Sequence, residues 1–293
     1  MKKTEAFRQS VFAAVFAVIC LAVLFPLILV VSVSLSNETE IVFRGYGILP
    51  RGFDLSAYQY IFKKPMAVLN AYKVTATFAV VGTAMSVLLT SMLSYTLSKR
   101  NLRRKNAISF YVYFTMLFSG GLVPTYILVS QYLGLEDSIW VYILPCMINP
   151  WYVFMMRTFF QGIPYEVAEA ALVDGANEYK IYWNIYMPLS KPMLATIALF
   201  LFLARWNDWY TAMLYINRDE LVSLQYLLQR IMDNIALLQN SENMRLNIMD
   251  YKDVPSETVR MAMAVIVAGP ALVIFPFFQK YFVKGVTVGA VKG

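Results

Sequence analysis

The sequence predicts an all-α integral membrane protein with six membrane-spanning helices. Apolar residues make up 59% of the 293 residues and charged residues only 15%, a composition typical of membrane proteins. A spanning helix needs about 20 mostly apolar residues. Six segments meet this need, at about 11–35, 74–98, 107–130, 139–160, 193–215 and 259–279. We expect residues 1–293 to form a single transmembrane domain.

Glycine and proline are placed where they would break several of these spans. The positions are Pro26 in the first span, Ser119-Gly120-Gly121 with Pro124 in the third, Pro145 and Pro150 in the fourth, and Gly269-Pro270 and Pro276 in the sixth. Breaks are tolerated in a membrane where neighbouring helices or a watery cavity satisfy the freed backbone groups. They are compatible with a transport pathway, although glycine and proline are also common in membrane helices generally.

The distribution of basic residues predicts the orientation. The short loop 99–105 contains five basic residues in seven positions, which marks it as cytoplasmic by the positive-inside rule. Both termini are then cytoplasmic, and the loops 37–72 and 216–258 are external. Within the second loop, apolar residues at helical spacing predict an amphipathic helix on the outer surface. They are Leu224, Leu227, Leu228, Ile231, Ile235 and Leu238.

Several function classes are excluded by what the sequence lacks. It contains no histidine, and its two cysteines, Cys20 and Cys146, lie in apolar runs, so we expect neither a metal site nor a disulfide. No phosphate-binding loop of the G-x-x-x-x-G-K-[ST] type is present, so the chain is not expected to hydrolyse ATP alone. Nothing resembles a nucleic-acid-binding module. A membrane enzyme would need clustered intramembrane acids or histidines, and the chain has neither. A stand-alone secondary transporter would be expected to have two related halves, and these are not apparent in the sequence.

Segment 164–192 is the longest polar-rich stretch on the predicted cytoplasmic side. Pro164 suits the first turn of a helix because that turn needs no amide donor. Glu166 and Glu169 near the same end complement the helix dipole. Asp174-Gly175 predicts the end of this helix, since glycine accepts the left-handed conformation. The residues Val167, Ala170, Ala171 and Asp174 are expected on one face.

A second short helix is predicted directly after this turn, capped by Asn177 and ended by Pro188. Its apolar residues are Ile181, Tyr182, Ile185 and Tyr186. We therefore expect a helix–turn–helix that packs on the membrane bundle with one face and on a partner protein with the other. The alternative is an amphipathic hairpin at the membrane interface that has no partner.

The combined pattern of this segment resembles the EAA loop of permease subunits in ATP-binding-cassette (ABC) importers. The matching residues are Glu169-Ala170-Ala171, Asp174-Gly175-Ala176, Ile185, Pro188-Leu189 and Pro192. Nearly the whole chain is similar to the second permease of maltose-type carbohydrate importers, and polyuronate importers such as the alginate importer are the nearest resemblance. Further matching motifs are Gly120–Tyr126, Leu133-Gly134-Leu135, Trp140, Leu144-Pro145, Arg157–Phe160, Ile163-Pro164 and Trp206-Asn207-Asp208.

The resemblance implies a type I ABC importer transmembrane domain in the inner membrane of a bacterium. Its implied partners are a second permease, two ATPase subunits that bind ATP and Mg²⁺, and an extracytoplasmic solute-binding protein. This chain would need no cofactor of its own. The residues implied to dock in the ATPase are Glu169, Ala170, Ala171, Asp174 and Gly175, and the tail 284–293 is implied to reach toward the same subunits. The implied cargo is an oligo- or polysaccharide.

The fifth span carries the candidate residues of the substrate pathway. They are Arg205, Trp206, Asn207, Trp209 and Tyr210. Arg205 is an intramembrane charge, and such charges are functional hypotheses by default. It either attracts an acidic saccharide, pairs with Asp208 or extends outward to the interface. The neighbouring aromatic residues either stack on sugar rings or form an interfacial belt.

Overall fold

The computed structural model describes residues 2–63, 65–240 and 256–290, which are mainly helical. The helices are α1 Lys2–Ser34, α2 Glu38–Arg44, α3 Ser56–Ile61, α4 Pro65–Ser98, α5 Lys105–Leu117, α6 Leu122–Ile127, α7 Pro150–Gln161, α8 Tyr165–Val173, α9 Glu178–Ile181, α10 Met187–Leu189, α11 Lys191–Trp206, α12 Tyr210–Tyr215, α13 Leu224–Asn240 and α14 Glu257–Ala290. π-helical turns extend α6 and α9, at Leu128–Tyr132 and Tyr182–Tyr186.

The chain divides into two compact units. Among the described residues, the first contains 2–63, 65–68, 228–240 and 256–270, and the second contains 69–227 and 271–290. In the first unit, Ser36 and Phe53 form an isolated antiparallel bridge, which closes the loop that contains α2. The prediction of a single domain stays a prediction.

The Glu38 carboxylate caps the N-terminus of α14 in the first unit. It accepts hydrogen bonds from the amides of Ser256, Glu257 and Thr258, at 3.0, 2.9 and 2.9 Å. Burial raises the pKa of the Glu38 carboxyl, but hydrogen bonds from the Glu257 and Thr258 amides and from the Thr258 and Ser256 hydroxyls outweigh burial and hold the pKa below its usual value of 4.5.

Two large apolar clusters and a smaller one around Leu97 form the core of the second unit among the described residues. One surrounds the stacked rings of Phe78 and Tyr142, whose centroids are 4.3 Å apart. The other surrounds Tyr95 and joins α4, α7, α8, α9 and α11. Its buried members are Tyr95, Met156, Phe160, Ala168, Ile181, Tyr182, Tyr186, Ile197 and Leu201. The second cluster positions α8.

Three helical segments in the described part of the chain are long and apolar enough to cross a membrane: Arg8–Ser34, Pro65–Ser98 and Glu257–Ile274. Two bent pairs raise the number to five if each counts as one span. Lys105–Leu117 meets Leu122–Tyr132 at 115°, and Glu178–Leu189 meets Lys191–Trp206 at 78°. The first bend lies at the predicted break Ser119-Gly120-Gly121, where Gly121 has a φ of +87°. This break is confirmed.

The remaining spans differ in continuity from the prediction. Segment 139–160 is not one helix but a 3-10 turn, Ile139–Tyr142, followed by α7 from Pro150, as Pro145 and Pro150 indicated. Segment 193–215 is divided between α11 and α12. In contrast, α1 continues through Pro26, and α14 continues through Gly269-Pro270 and Pro276. The predicted breaks in the first and sixth spans were wrong, because an apolar helix that is stable on both sides of a proline tolerates the loss of one hydrogen bond.

The amphipathic helix predicted in the loop 216–258 is α13. Its predicted apolar positions from Leu224 to Ile235 are buried or half-buried, whereas Gln229, Arg230, Asp233 and Asn234 are exposed. The prediction of helical periodicity is confirmed for these residues. The remainder of the loop, 241–255, and the last part of the predicted tail, 291–293, lie outside the described residues.

Candidate functional site

Helix α8 begins at Tyr165, directly after Pro164, and ends at Val173. Pro164 occupies the N-cap position, where a φ of −55° suits the proline ring. Glu166 lies in the first turn and complements the positive end of the helix dipole. The start and the end of this helix agree with the sequence prediction to within one residue.

A Schellman turn ends α8. The amide of Ala176 donates to the carbonyl of Ala171 at 2.9 Å, and the amide of Gly175 donates to the carbonyl of Leu172 at 3.0 Å. Gly175 has a φ of +80°, the left-handed conformation that its position requires. The side chain of Asn177 then accepts a hydrogen bond from the Lys180 amide and caps α9. The predicted turn and both of its ends are confirmed.

The two alanines on the inner face of α8 attach it to the second cluster. Ala168 is only 1% exposed, and Ala171 is half-buried against the same group of residues. Small side chains at these positions bring the α8 backbone close to Phe160 and Tyr186, because a larger side chain would separate them. One predicted coupling residue, Ala171, therefore faces the protein interior.

The other four predicted coupling residues are exposed. Glu169 and Ala170 lie on the outer side of α8, and Asp174 and Gly175 form the exposed turn at its end. A Cβ placed on Gly175 would meet no atom within 4 Å, so space around the turn is open. The structure thus brings the predicted residues together on one short helix, but it divides them between an inner and an outer face.

Apolar side chains extend this exposed surface. Val173 is 84% exposed at the end of α8, and Tyr179 on α9 is 69% exposed. The Tyr179 ring packs edge-to-face against Trp183 at 6.2 Å. Sequence reasoning missed Val173, Tyr179 and Trp183, although an aromatic pair spaced four residues apart on a helix was a usable signal.

The second helical part of the segment ends within one residue of the predicted position. Helical structure runs from Glu178 through the π-helical turn to Leu189, one residue beyond Pro188. Pro188 lies in α10, directly after the π-helical turn. The predicted inward face is confirmed, since Ile181, Tyr182 and Tyr186 are buried.

A salt bridge joins α9 to the basic loop 99–105. Lys99 Nζ lies 2.7 Å from Glu178 Oε2, and the Tyr95 hydroxyl donates to the same carboxylate oxygen. The Lys99 ammonium also lies over the Tyr95 ring, 4.4 Å from its centroid. In addition, the buried Tyr182 and Ser91 hydroxyls are hydrogen-bonded at 2.7 Å. These contacts fix α9 to α4 and were not predicted.

Arg205 is 5% exposed and is bound by groups of the second unit. Its Nη2 donates to Ser86 Oγ at 2.6 Å and to the Cys146 carbonyl at 3.1 Å. A Cβ on Gly82 would lie 2.6 Å from Arg205 Nε, so α4 presents a glycine where the guanidinium passes. The structure therefore places Arg205 against α4 and the Cys146 carbonyl.

The four other candidate pathway residues fall into two groups. Trp206 is buried and stacks on Phe202, with centroids 5.7 Å apart. Asn207, Trp209 and Tyr210 are exposed. The Asn207 carboxamide accepts from Gln225 Nε2 at 3.0 Å, and the Trp209 and Tyr210 rings pack edge-to-face. Of these four, only the exposed group is directly available to a ligand.

Comparison with known proteins agrees with a helical membrane permease. Residues 86–288 match the family described as "Binding-protein-dependent transport system inner membrane component". Because this match covers well over half of the chain, the protein belongs to that family. Its members are the membrane-embedded permeases of ABC transport systems, which are not enzymes themselves.

Two relatives and one solved structure are similar to this protein over nearly the whole chain. The chain is 38% identical to the polygalacturonan/rhamnogalacturonan transport system permease protein YtcP of Bacillus subtilis, over 96% of each chain. It is 38% identical to protein LplC of the same organism, over 92% of this chain and 89% of LplC. A crystal structure of a bacterial ABC transporter involved in the import of the acidic polysaccharide alginate contains a chain that superposes with a TM-score of 0.79 at 31% identity, covering 95% of this chain and 98% of that chain.

Proposed function

We propose that the chain is the transmembrane permease subunit of an ATP-driven, binding-protein-dependent importer of oligo- or polysaccharides. It would form half of the translocation pathway and couple that pathway to a separate ATPase. A polyanionic saccharide is the favoured cargo. One relative is a permease of a polygalacturonan/rhamnogalacturonan transport system, and the similar solved structure is a transporter involved in the import of an acidic polysaccharide.

One observation carries the coupling part of this proposal. Helix α8 is attached to the second cluster through Ala168 and Ala171, while its opposite side presents Val173 and the Asp174-Gly175 turn to solvent. A short rigid element with one face held and one face open is suited to transmit a rigid-body movement from a bound partner. We therefore infer that α8 docks in a cleft of the ATPase.

The remaining partners complete the proposed machine. Two ATPase subunits would bind ATP and Mg²⁺, a second permease would form the other half of the pathway, and an extracytoplasmic solute-binding protein would deliver the saccharide. Both termini and the basic loop 99–105 are cytoplasmic in this arrangement, as the excess of positive charge favours. The bacterial inner membrane is the proposed location.

Exposure divides the proposed roles of the pathway residues. Asn207, Trp209 and Tyr210 offer a polar group and two aromatic rings that suit a sugar, whose hydroxyls hydrogen-bond and whose ring faces stack. Arg205 and Trp206 would act behind them, by holding α11 against α4. Arg205 would reach an acidic cargo only if the pathway opens between these two helices.

Reconstitution of the complete transporter in proteoliposomes tests the function. Binding-protein-stimulated ATP hydrolysis and saccharide uptake are measured together, with a panel of neutral and acidic oligosaccharides. We expect Gly175→Asp to abolish coupling, so that uptake falls while the chain remains in the membrane. Wild-type uptake by this variant would refute the role of α8. Uptake without the ATPase would instead indicate a secondary transporter.

A further inference from the structure

A small cavity with a strongly basic wall lies beside α8 in the second unit. It has a volume of about 210 Å³, enough for a compact anion and several waters. The end of α4 and the basic loop form one wall, and the junction between α7 and α8 forms the other. The lining residues are Ser98, Lys99, Arg100, Lys105, Phe160, Gln161, Ile163, Tyr165 and Tyr186.

The cavity wall carries three cations and no acid. Glu178 neutralises Lys99 from outside the wall, through the 2.7 Å salt bridge. Arg100 and Lys105 have no acidic partner within 4 Å among the described residues. Lys105 also experiences the positive charge of Arg157, which raises the local excess of positive charge. Cations that are close together favour the binding of an anion.

The basic side chains of the wall are held in place and keep hydrogen-bond donors that a ligand can use. Lys105 Nζ donates to the Lys99 carbonyl at 3.1 Å, and an ammonium group has two further protons to donate. The Arg100 guanidinium lies over the Tyr165 ring, 5.0 Å from its centroid, so a ring fixes its plane while the N–H edges stay open. Ser98 and Gln161 add neutral hydrogen-bonding groups to the lining.

We propose that this cavity binds a phosphate group, which Lys105 and Arg100 hold beside the N-terminus of α8. A phosphate offers several acceptor oxygens to an ammonium and a guanidinium at once. The group belongs either to the headgroup of an anionic phospholipid or to free phosphate. Because Tyr165 is both the first residue of α8 and part of the cavity wall, the bound anion joins the basic loop to the start of this helix.

Two binding experiments on the full-length chain in lipid nanodiscs test the proposal and distinguish the sources. In the first, nanodiscs of phosphatidylcholine contain a minor fraction of phosphatidylglycerol, and native mass spectrometry counts the phosphatidylglycerol molecules retained. In the second, inorganic phosphate is titrated calorimetrically into nanodiscs of phosphatidylcholine alone. Retention only in the first experiment identifies a lipid headgroup, and saturable binding in the second identifies phosphate itself.

Charge-matched variants separate the cavity from general electrostatics. Lys105→Gln keeps an N–H donor but removes the charge, and we expect it to weaken binding about tenfold, as for loss of one charged hydrogen bond. Arg100→Gln is a second variant with the same expectation. Arg103→Gln makes the equal change in the same loop at an exposed residue outside the cavity wall, and it should bind as wild type. No retained phosphatidylglycerol together with no saturable binding of phosphate, or an equal loss in Arg103→Gln, would overturn the proposal. Neither readout depends on transport, so a failure here leaves the proposed function untouched.

Discussion

Lys99, at the start of the basic loop, pairs with Glu178 in the first turn of α9, with 2.7 Å between Nζ and Oε2. The two residues are distant in sequence, yet their contact anchors the helical segment that follows α8. The aromatic rings around Lys99 hold its position on one side of the pair. A short side-chain contact thus fixes the direction in which α9 leaves the Gly175 turn.

Removal of the charge on Glu178 should loosen this anchor without unfolding the protein. The Glu178 side chain is 59% exposed, and exposed ion pairs contribute only about 0–1 kcal/mol. Glu178→Gln keeps an acceptor for the Tyr95 hydroxyl, so we expect a small decrease of the thermal unfolding midpoint in detergent. A double-mutant cycle with Lys99→Gln measures the coupling. Glu220→Gln, which removes an exposed carboxylate outside this contact, is the control, and an equal effect there would contradict the assignment.

Stability should fall at acidic pH through Glu38. Its pKa is lower in the folded protein than in the unfolded chain, so its contribution is complete above about pH 5 and is lost as the pH falls through the lowered folded-state pKa. Glu38→Gln should decrease stability by about 1–2 kcal/mol at pH 7, since it replaces charged hydrogen bonds at a helix cap. Thermal unfolding of wild type and variant at pH 7 and pH 4 checks this.

A matched substitution on the same helix controls the Glu38 prediction. Glu40→Gln removes an exposed carboxylate that pairs with Arg44 one turn further along α2. We expect it to change the unfolding midpoint little at either pH. The difference between wild type and Glu38→Gln should narrow at pH 4, and a constant difference would show that the charge of Glu38 is not the cause.

The turn after α8 should tolerate asparagine at position 175 better than alanine. Gly175 has a φ of +80° and open space around its Cβ position, so the penalty is backbone strain alone. A left-handed conformation costs about 1–2 kcal/mol for alanine and less for asparagine. We expect Gly175→Ala to reduce both the unfolding midpoint and the uptake of reconstituted transporter, and Gly175→Asn to reduce them less.

Gly134 provides the control for this strain. It has a φ of +60° and equally open space, but it lies in the turn before the Ile139–Tyr142 segment. Gly134→Ala should lower the midpoint by a similar amount while uptake per folded transporter stays at the wild-type level. If both variants lose uptake equally, then backbone strain explains the loss, and a coupling role of α8 does not.

Because Arg205 approaches Gly82 closely, replacement of that glycine should destabilise the protein. An added Cβ would lie 2.6 Å from Arg205 Nε and 3.2 Å from its Cδ. Overpacking of this kind typically costs about 1–3 kcal/mol. We therefore expect Gly82→Ala to lower the unfolding midpoint clearly. Gly269→Ala, within α14 and with no atom within 4 Å of the new Cβ, should leave the midpoint unchanged or raise it slightly, because alanine favours a helix more than glycine does. Equal effects of the two variants would refute the packing argument.

Local signals in the sequence predicted the site where they were strong. The helix end at Gly175, the cap at Asn177 and the inward face with Ile181 depend on residues adjacent in the chain, so pattern reasoning found them. Composition and length predicted six spans, of which the described residues give three long apolar helices, or five if each bent pair counts as one span. The break at Gly120-Gly121 was predicted from the glycines themselves. The roles of Glu169 and Asp174 in docking stay predictions.

Contacts between distant residues were beyond the sequence signal. Nothing in the pattern indicated that Glu178 meets Lys99, that Glu38 caps α14, or that Arg205 passes Gly82, because each depends on how separate helices pack. The continuation of α14 through Pro270 and Pro276 has a related cause. Whether one missing hydrogen bond breaks a helix depends on the stability of its flanking turns, which local rules for proline do not include.

The exposed Val173 has a consequence for the cell that makes this chain. An apolar side chain at the tip of a hairpin is unfavourable in water until it is covered, by roughly 1.5 kcal/mol for a residue of this size. In the proposed importer, a permease synthesised in excess of the ATPase would leave this residue uncovered beside the Asp174-Gly175 turn. Balanced expression of the genes for all subunits would therefore protect the membrane from orphan permeases that adhere to one another or attract proteases.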